Sequence, residues 1–114
     1  MKHKLSKACD ISQKVKQIVW ERDKGRCVVC GNTQNVMPNA HFISRAKGGL
    51  GIEQNIVTLC TNFTTCKCHF RFDNGTAEER KEIGLKIETY LKSKYPDWNK
   101  ENLVYRRNIW ILSF

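Results

Sequence analysis

Cys27 and Cys30 stand as C-x-x-C, and Cys60, Cys66 and Cys68 follow about 30 residues later. A C-x-x-C turn aims two thiolates at one point. A second pair elsewhere can complete the tetrahedral cage that Zn2+ takes, with Zn–S near ~2.3 Å. Two such groups flanking a folded segment staple a domain together. The second group offers C-x5-C or C-x7-C, so either Cys66 or Cys68 can supply the fourth sulfur and the other is peripheral. A redox role for Cys27 and Cys30 would want a βαβ setting, which this sequence lacks. Cys9 reads as a lone, unpaired thiol.

The stretch LCTNFTTCKCHFRFDNG, residues 59–75, also carries His69 and Asp73. Four residues apart on a helix, these side chains share one face, about 6 Å apart along the axis. A divalent cation accepts imidazole and carboxylate together. Cys68 and His69 diverge by about 100° around such a helix. One short helix can therefore serve a sulfur site on one side and a second site on the other. The alternatives are a zinc-ligating His69 or a plain surface pair. His41 lies in the apolar run AHFI, where a histidine is ordinarily a satisfied, half-buried residue.

These residues need elements to aim them. Residues 1–9 read as a basic flexible arm. From Asp10 to Lys24, Ile11, Val15, Ile18 and Val19 recur at helical spacing. Asp10 with Gln13 resembles a capping box, and Gly25 stops the helix. RCVVCGNTQNV reads as a knuckle, and NAHFIS and IVTLC as two strands. Between the strands, RAKGGLGIEQN holds three of the seven glycines, has no period and reads as a loop. A short helix runs on to Asp73, and Asn74-Gly75, types that tolerate positive φ, ends it. Thr76 and Glu79 cap a longer helix with Ile83, Ile87, Tyr90 and Leu91 as its apolar stripe, and Pro96 forbids its continuation. LVYRRNIWILSF reads as a closing strand or a loosely packed end. The class is α+β in one domain, residues 10–114, with a core over 19–75 and a C-terminal helical extension over 76–114.

A chain of 114 residues suits one domain, and a core this small commonly needs a metal or disulfides. No signal-like or membrane-spanning stretch is present. Clustered cysteines in such a chain read as metal-binding, and the expected location is cytoplasmic. The net charge is +9, and residues 1–26 carry eight Lys/Arg against three Asp/Glu. That balance suits a solubilised surface or an anionic partner such as nucleic acid.

Read in order, C-x-x-C, His41, a glycine loop, Asn55, Cys60 and then Cys68-His69 resemble the HNH endonucleases, the ββα-metal family. The pieces are VWERDKGRCVVCG, AHFISRAKGG, EQNIVTLC and CHFRFDNG, from about Val19 to Gly75, and the zinc-stapled branch common in bacteriophages is most similar. The resemblance implies a ββα-metal motif on a four-cysteine zinc knuckle (Cys27, Cys30, Cys60, Cys68) with flanking helices. It implies His41 as general base, Asn55 as an orienting residue that ties the glycine loop to the strand, and His69 and Asp73 as ligands of a catalytic divalent cation (Mg2+, Mn2+, Ni2+ or Zn2+). The reaction would be hydrolysis of DNA phosphodiesters, nicking or cutting with little sequence specificity, in a bacterial or phage-infected cell. Phage relatives suggest packaging proteins such as terminase as partners. Arg45, Lys47 and Arg71 lie beside the site in sequence and are candidates for binding phosphate.

Two departures from the family pattern stand out. Many relatives carry Asp or His just before the base histidine, where this chain has Ala40. Asn39, a backbone carbonyl, water or His41 itself would then complete the cation's shell. The segment TNFTTCK separates Cys60 from Cys68 where relatives often have two residues, and alignment on the Cys-His pair selects Cys68 over Cys66. The rival readings are a non-catalytic zinc-stabilised nucleic-acid-binding module, an inactive relative of the nucleases, and a protein-interaction knuckle.

Overall fold

A computed structural model describes residues 4–106. Helices α1 (Lys4–Cys9) and α2 (Gln13–Asp23) precede a two-stranded antiparallel sheet, β1 (Val36–His41) and β2 (Ile56–Cys60). Helices α3 (Cys68–Asn74) and α4 (Ala77–Lys94) follow, with 3₁₀ turns at Arg45–Lys47 and Lys100–Leu103. The chain is thus a small α+β domain. No helix among the described residues is long and apolar enough to cross a membrane.

The sheet positions everything else. Every residue of β2 is buried, because helices cover it on both sides, so its sequence does not alternate and is apolar but for Thr58. Pairing runs Val36 with Cys60 and Met37 with Leu59, then Ala40 with Val57 and His41 with Ile56. The register slips by one residue between Met37 and Ala40. Pro38 sits in that slip, and lacking an N–H it could not have donated to the ladder. A bulge of this kind re-aims neighbouring side chains, here Asn39. Ala40 is fully buried among Cys27, Val57, Leu59, Ile83 and Ile87.

Helix α2 begins on Ser12, whose Oγ accepts from the N–H of Val15 at 3.1 Å, and not on Asp10 with Gln13 as the spacing suggested. Asp10 is engaged elsewhere: its carboxylate accepts from Arg45 Nη2 at 2.9 Å. The helix ends at Asp23, two residues before Gly25, with the cap residue Lys24 already left-handed at φ 57°. Its last residue, Asp23, is buried and accepts from the N–H of Thr58 at 2.9 Å, the hydroxyl of Tyr90 at 2.6 Å and Arg22 Nε at 2.7 Å. Arg22 also donates to the carbonyls of Glu53 and Ile56. This polar clamp joins α2, β2 and α4, and neither residue type nor periodicity reveals it in the sequence.

Residues 4–9 are helix α1, where a flexible arm was expected. The carbonyl of Ala8 accepts from the N–H of Gly51 at 3.0 Å, and a Cβ at Gly51 would lie 2.0 Å from the Asp10 carbonyl oxygen. Docking of α1 on the glycine loop buries Cys9. Gly49 and Gly51 of that loop thus serve close backbone approach, and Gly48 supplies a left-handed φ of 83°.

Helix α4 carries the expected capping box at Thr76 and Glu79, and Ile83, Ile87 and Leu91 are buried. Gly75 is needed for space and not for positive φ. Its φ is −75°, and a Cβ there would lie 2.4 Å from the Arg71 carbonyl oxygen. The extension is anchored by Phe42, which stacks on Phe72 and meets Trp98 edge-on at ring separations of 6.3 and 5.7 Å. Trp98 Nε1 donates to the carbonyl of Gln54 at 2.8 Å. In place of a closing strand, Val104 makes an isolated bridge to Gly49. The rest of that expected strand, residues 107–114, lies outside the described residues.

Candidate metal centre and adjoining pocket

The sulfurs of Cys27, Cys30, Cys60 and Cys68 all lie within 4.8 Å of one another. Sulfurs bound to one zinc at ~2.3 Å stand about 3.8 Å apart, so the cluster has the dimensions of a metal cage. The knuckle forms because the Cys27 carbonyl accepts from the N–H of Gly31 at 2.9 Å, with Gly31 at φ 82°. Cys60 ends β2 and Cys68 opens α3. Burial, followed by the neighbouring sulfurs, drives the Cys68 thiol far above its ordinary value. Burial raises the Cys30 thiol too. At Cys27 burial opposes ionisation, but the backbone N–H groups of Cys30, Val29 and Cys60 outweigh it and lower the pKa. Four sulfurs this close discharge their mutual repulsion by taking up protons or a cation. The group can hold a metal ion, and Cys66, half-buried, stands outside it.

On another side of α3 a surface cavity of ≈ 610 Å³ is lined by Asn39, His41, Arg45, His69 and Asp73, with Lys16 reaching it from α2. His69 Nε2 and Asp73 Oδ2 are 3.2 Å apart. That is the separation of an i,i+4 hydrogen-bonded pair, and it also matches the ~3 Å between neighbouring ligands of a cation bound at ~2.1 Å. Among the described residues no third His, Cys, Asp or Glu joins them in a cluster. Ala40 is no vacancy in that set, because a longer side chain there would enter the core while residues 39 and 41 face the cavity.

His41 Nε2 lies 2.8 Å from the carbonyl oxygen of Cys9. A carbonyl only accepts, so Nε2 carries the proton and neutral His41 keeps its lone pair on Nδ1. Burial lowers its pKa below the ordinary 6.5, and Arg45 and His69 add to that against the Cys9 hydrogen bond. Neutral imidazole is thus the form at pH 7. Asn55, fully buried, holds the neighbouring backbone. Its Oδ1 accepts from the N–H of Ile43 at 2.8 Å, and its Nδ2 donates to the carbonyls of Ile43 and Leu50 at 3.1 and 2.9 Å. The amide thus ties the loop at Leu50 to Ile43, just past the end of the strand.

The three cations picked from sequence separate. Arg45 lines the cavity, but its guanidinium is bound by the Cys9 carbonyl at 2.8 Å and by Asp10. Arg71 turns away to Glu79 at 2.8 Å and to the Cys66 carbonyl. Lys47 borders an adjoining cavity that shares His41, Ser44 and Asp73 with the first and brings in Arg80 and Lys81 of α4. Lys16, Lys47, Arg80 and Lys81 have no ion-pair partner among the described residues. Lys16, Arg80 and Lys81 escaped the sequence reading because helical spacing places them on polar faces without saying what those faces border.

The chain is therefore a small α+β domain with a four-cysteine cluster able to bind a metal, beside a pocket of two histidines and an aspartate. No protein-family model, curated protein or solved structure matches the chain.

Proposed function

We propose that this protein is a metal-dependent endonuclease of the HNH, ββα-metal type, with Zn2+ in the Cys27, Cys30, Cys60 and Cys68 cage and DNA as substrate. The observation that carries the proposal is the pocket in which a neutral His41, with Nδ1 free, faces the His69–Asp73 pair. His41 Nδ1 takes the proton of a water that attacks phosphorus in line, and the bond from phosphorus to the 3′ oxygen breaks. The Nε2–H bond to Cys9 fixes the ring and stabilises the imidazolium that forms. Asn55 holds the strand-to-loop junction so that the base does not swing. His69 and Asp73 would hold a divalent cation, with Asn39 or water completing its shell; when bound, it supplies positive charge to the phosphoryl and leaving oxygens. Lys16, Lys47, Arg80 and Lys81 bind flanking phosphates through charge, without reading bases, which suits low sequence specificity.

A second reading, a nucleic-acid-binding module without catalysis, draws on the absence of a third His, Cys, Asp or Glu beside His69 and Asp73 among the described residues. Incubation of supercoiled plasmid with the protein and Mg2+, Mn2+ or Ni2+ separates the two. The nuclease relaxes or linearises the plasmid, and His41→Ala, still folded, does not. Salt-sensitive binding with no cutting under any of these cations would establish the second reading.

A further inference from the structure

The segment between β2 and α3 displays an aromatic ring on a fixed turn. Thr61 Oγ1 donates to the Asn35 carbonyl at 2.9 Å, Thr64 Oγ1 donates to the Thr61 carbonyl at 2.9 Å, and the N–H of Lys67 donates to Thr64 Oγ1 at 2.9 Å. At the tip of this turn Phe63 is 85% exposed, the most exposed large apolar side chain described. Phe63 shares a depression with Met37 and Phe70, themselves 46% and 48% exposed, and the amides of Asn39, Asn62 and Asn74 rim it. The depression also shares Asn39, His69 and Asp73 with the His41 pocket. That pocket in turn runs into the cavity bordered by Lys47, Arg80 and Lys81. One furrow therefore has an aromatic, amide-lined end, the histidine–aspartate pair in its middle and, at its other end, cations with no ion-pair partner among the described residues.

We infer that Phe63 and Phe70 form a stacking subsite for an unpaired nucleobase beside the phosphate that a cation at His69 and Asp73 would hold, so that single-stranded or frayed DNA is the preferred substrate. The inference rests on the nuclease reading for the place of that phosphate. Its chemistry comes from this furrow. A flat, exposed ring offers a base a stacking partner, and side-chain amides offer its edge a donor and an acceptor together. A polyanion complements these cations and the net charge of +9. Bases inside a duplex are already stacked on their neighbours and cannot present a face to Phe63, whereas an unpaired base can.

Fluorescence anisotropy tests this with a labelled single-stranded oligonucleotide and a blunt-ended duplex of the same strand annealed to its complement. The zinc-loaded protein is titrated without added Mg2+, Mn2+ or Ni2+, so that the strand stays uncut. The wild type should favour the single strand. Phe63→Ala should lower single-strand affinity by about 5- to 20-fold and duplex affinity by less than about twofold. The slope of log affinity against log salt should not change, because a phenyl ring releases no counterions. Phe63→Trp should restore single-strand binding. Unchanged single-strand affinity in Phe63→Ala overturns the subsite. So does an equal loss on both DNAs, or a change in sedimentation with no change in DNA binding, which would make the ring a protein contact. Plasmid cutting assayed in parallel keeps the two ideas apart. Cutting without Phe63-dependent strand preference refutes the subsite alone, and Phe63-dependent binding without cutting refutes the nuclease alone.

Discussion

Asn55 carries a heavy structural duty for one side chain, and its replacement has a size that the structure sets. Asn55→Ala removes three hydrogen bonds at once, to the N–H of Ile43 and to the carbonyls of Ile43 and Leu50, in a fully buried position. Each bond contributes about 1 kcal/mol net, and a buried group left unpaired costs about 1–3 kcal/mol. The loop can admit water to some of these groups, so the expected loss is about 3–4 kcal/mol. For a domain of this length that lowers the melting temperature by roughly 10–20 °C. Urea unfolding followed by tryptophan fluorescence measures it, since Trp98 packs edge-on to Phe42 near this junction. Plasmid cutting should fall as well, at temperatures where the variant stays folded, because the backbone following His41 is released. Asn55→Asp keeps the acceptor for Ile43 but turns a carboxylate oxygen toward two carbonyls. It should be no better than alanine at pH 7. Its carboxyl has a folded-state pKa raised above the unfolded value of ~3.9, so the penalty is complete above the folded pKa and disappears below the unfolded one. The variant should therefore gain on Asn55→Ala as pH falls. A loss under about 1 kcal/mol for alanine, or a pH 7 advantage for aspartate, would refute this account of the junction.

The two sites on α3 should separate by mutation. Cys27→Ser should lose the tightly bound metal in elemental analysis and with it cooperative unfolding, while His69→Ala keeps that metal and its fold but loses cutting; identical unfolding of both would merge the sites. Burial holds the His41 pKa below 6.5 and Arg45 lowers it further, so the acid limb of the cutting profile should lie below pH 6.5. Arg45→Gln removes a neighbouring cation and should move that limb upward, and a limb that stays or moves down contradicts the role given to His41. Between the depressed folded value and 6.5 the unfolded chain binds more protons at this position, so the His41 contribution to stability rises with pH through that window.

Short-range spacing accounts for what was legible in the residues alone. C-x-x-C placed two sulfurs on one turn, His69 and Asp73 four apart placed two side chains on one helical face, and Thr76 with Glu79 wrote a helix start into four residues. The second strand, IVTLC, was legible at its bounds, whereas the first was expected over NAHFIS and instead runs Val36–His41, three residues earlier, because it pairs with β2 across a slip at Pro38 that residue types alone do not show. Packing supplied what lies across the fold. Cysteine spacing alone left Cys66 and Cys68 both open, the Cys-His resemblance favoured Cys68, and the meeting of β2 with α3 brings Cys68 to the other three sulfurs. Docking of α1 on the glycine loop gave His41 its partner at the Cys9 carbonyl and so left Nδ1 free. Ion pairing engaged Arg45 with Asp10 and Arg71 with Glu79 at the surface and left Lys16, Arg80 and Lys81 to border the furrow. Such outcomes turn on distances between residues far apart in the chain, which local periodicity does not encode.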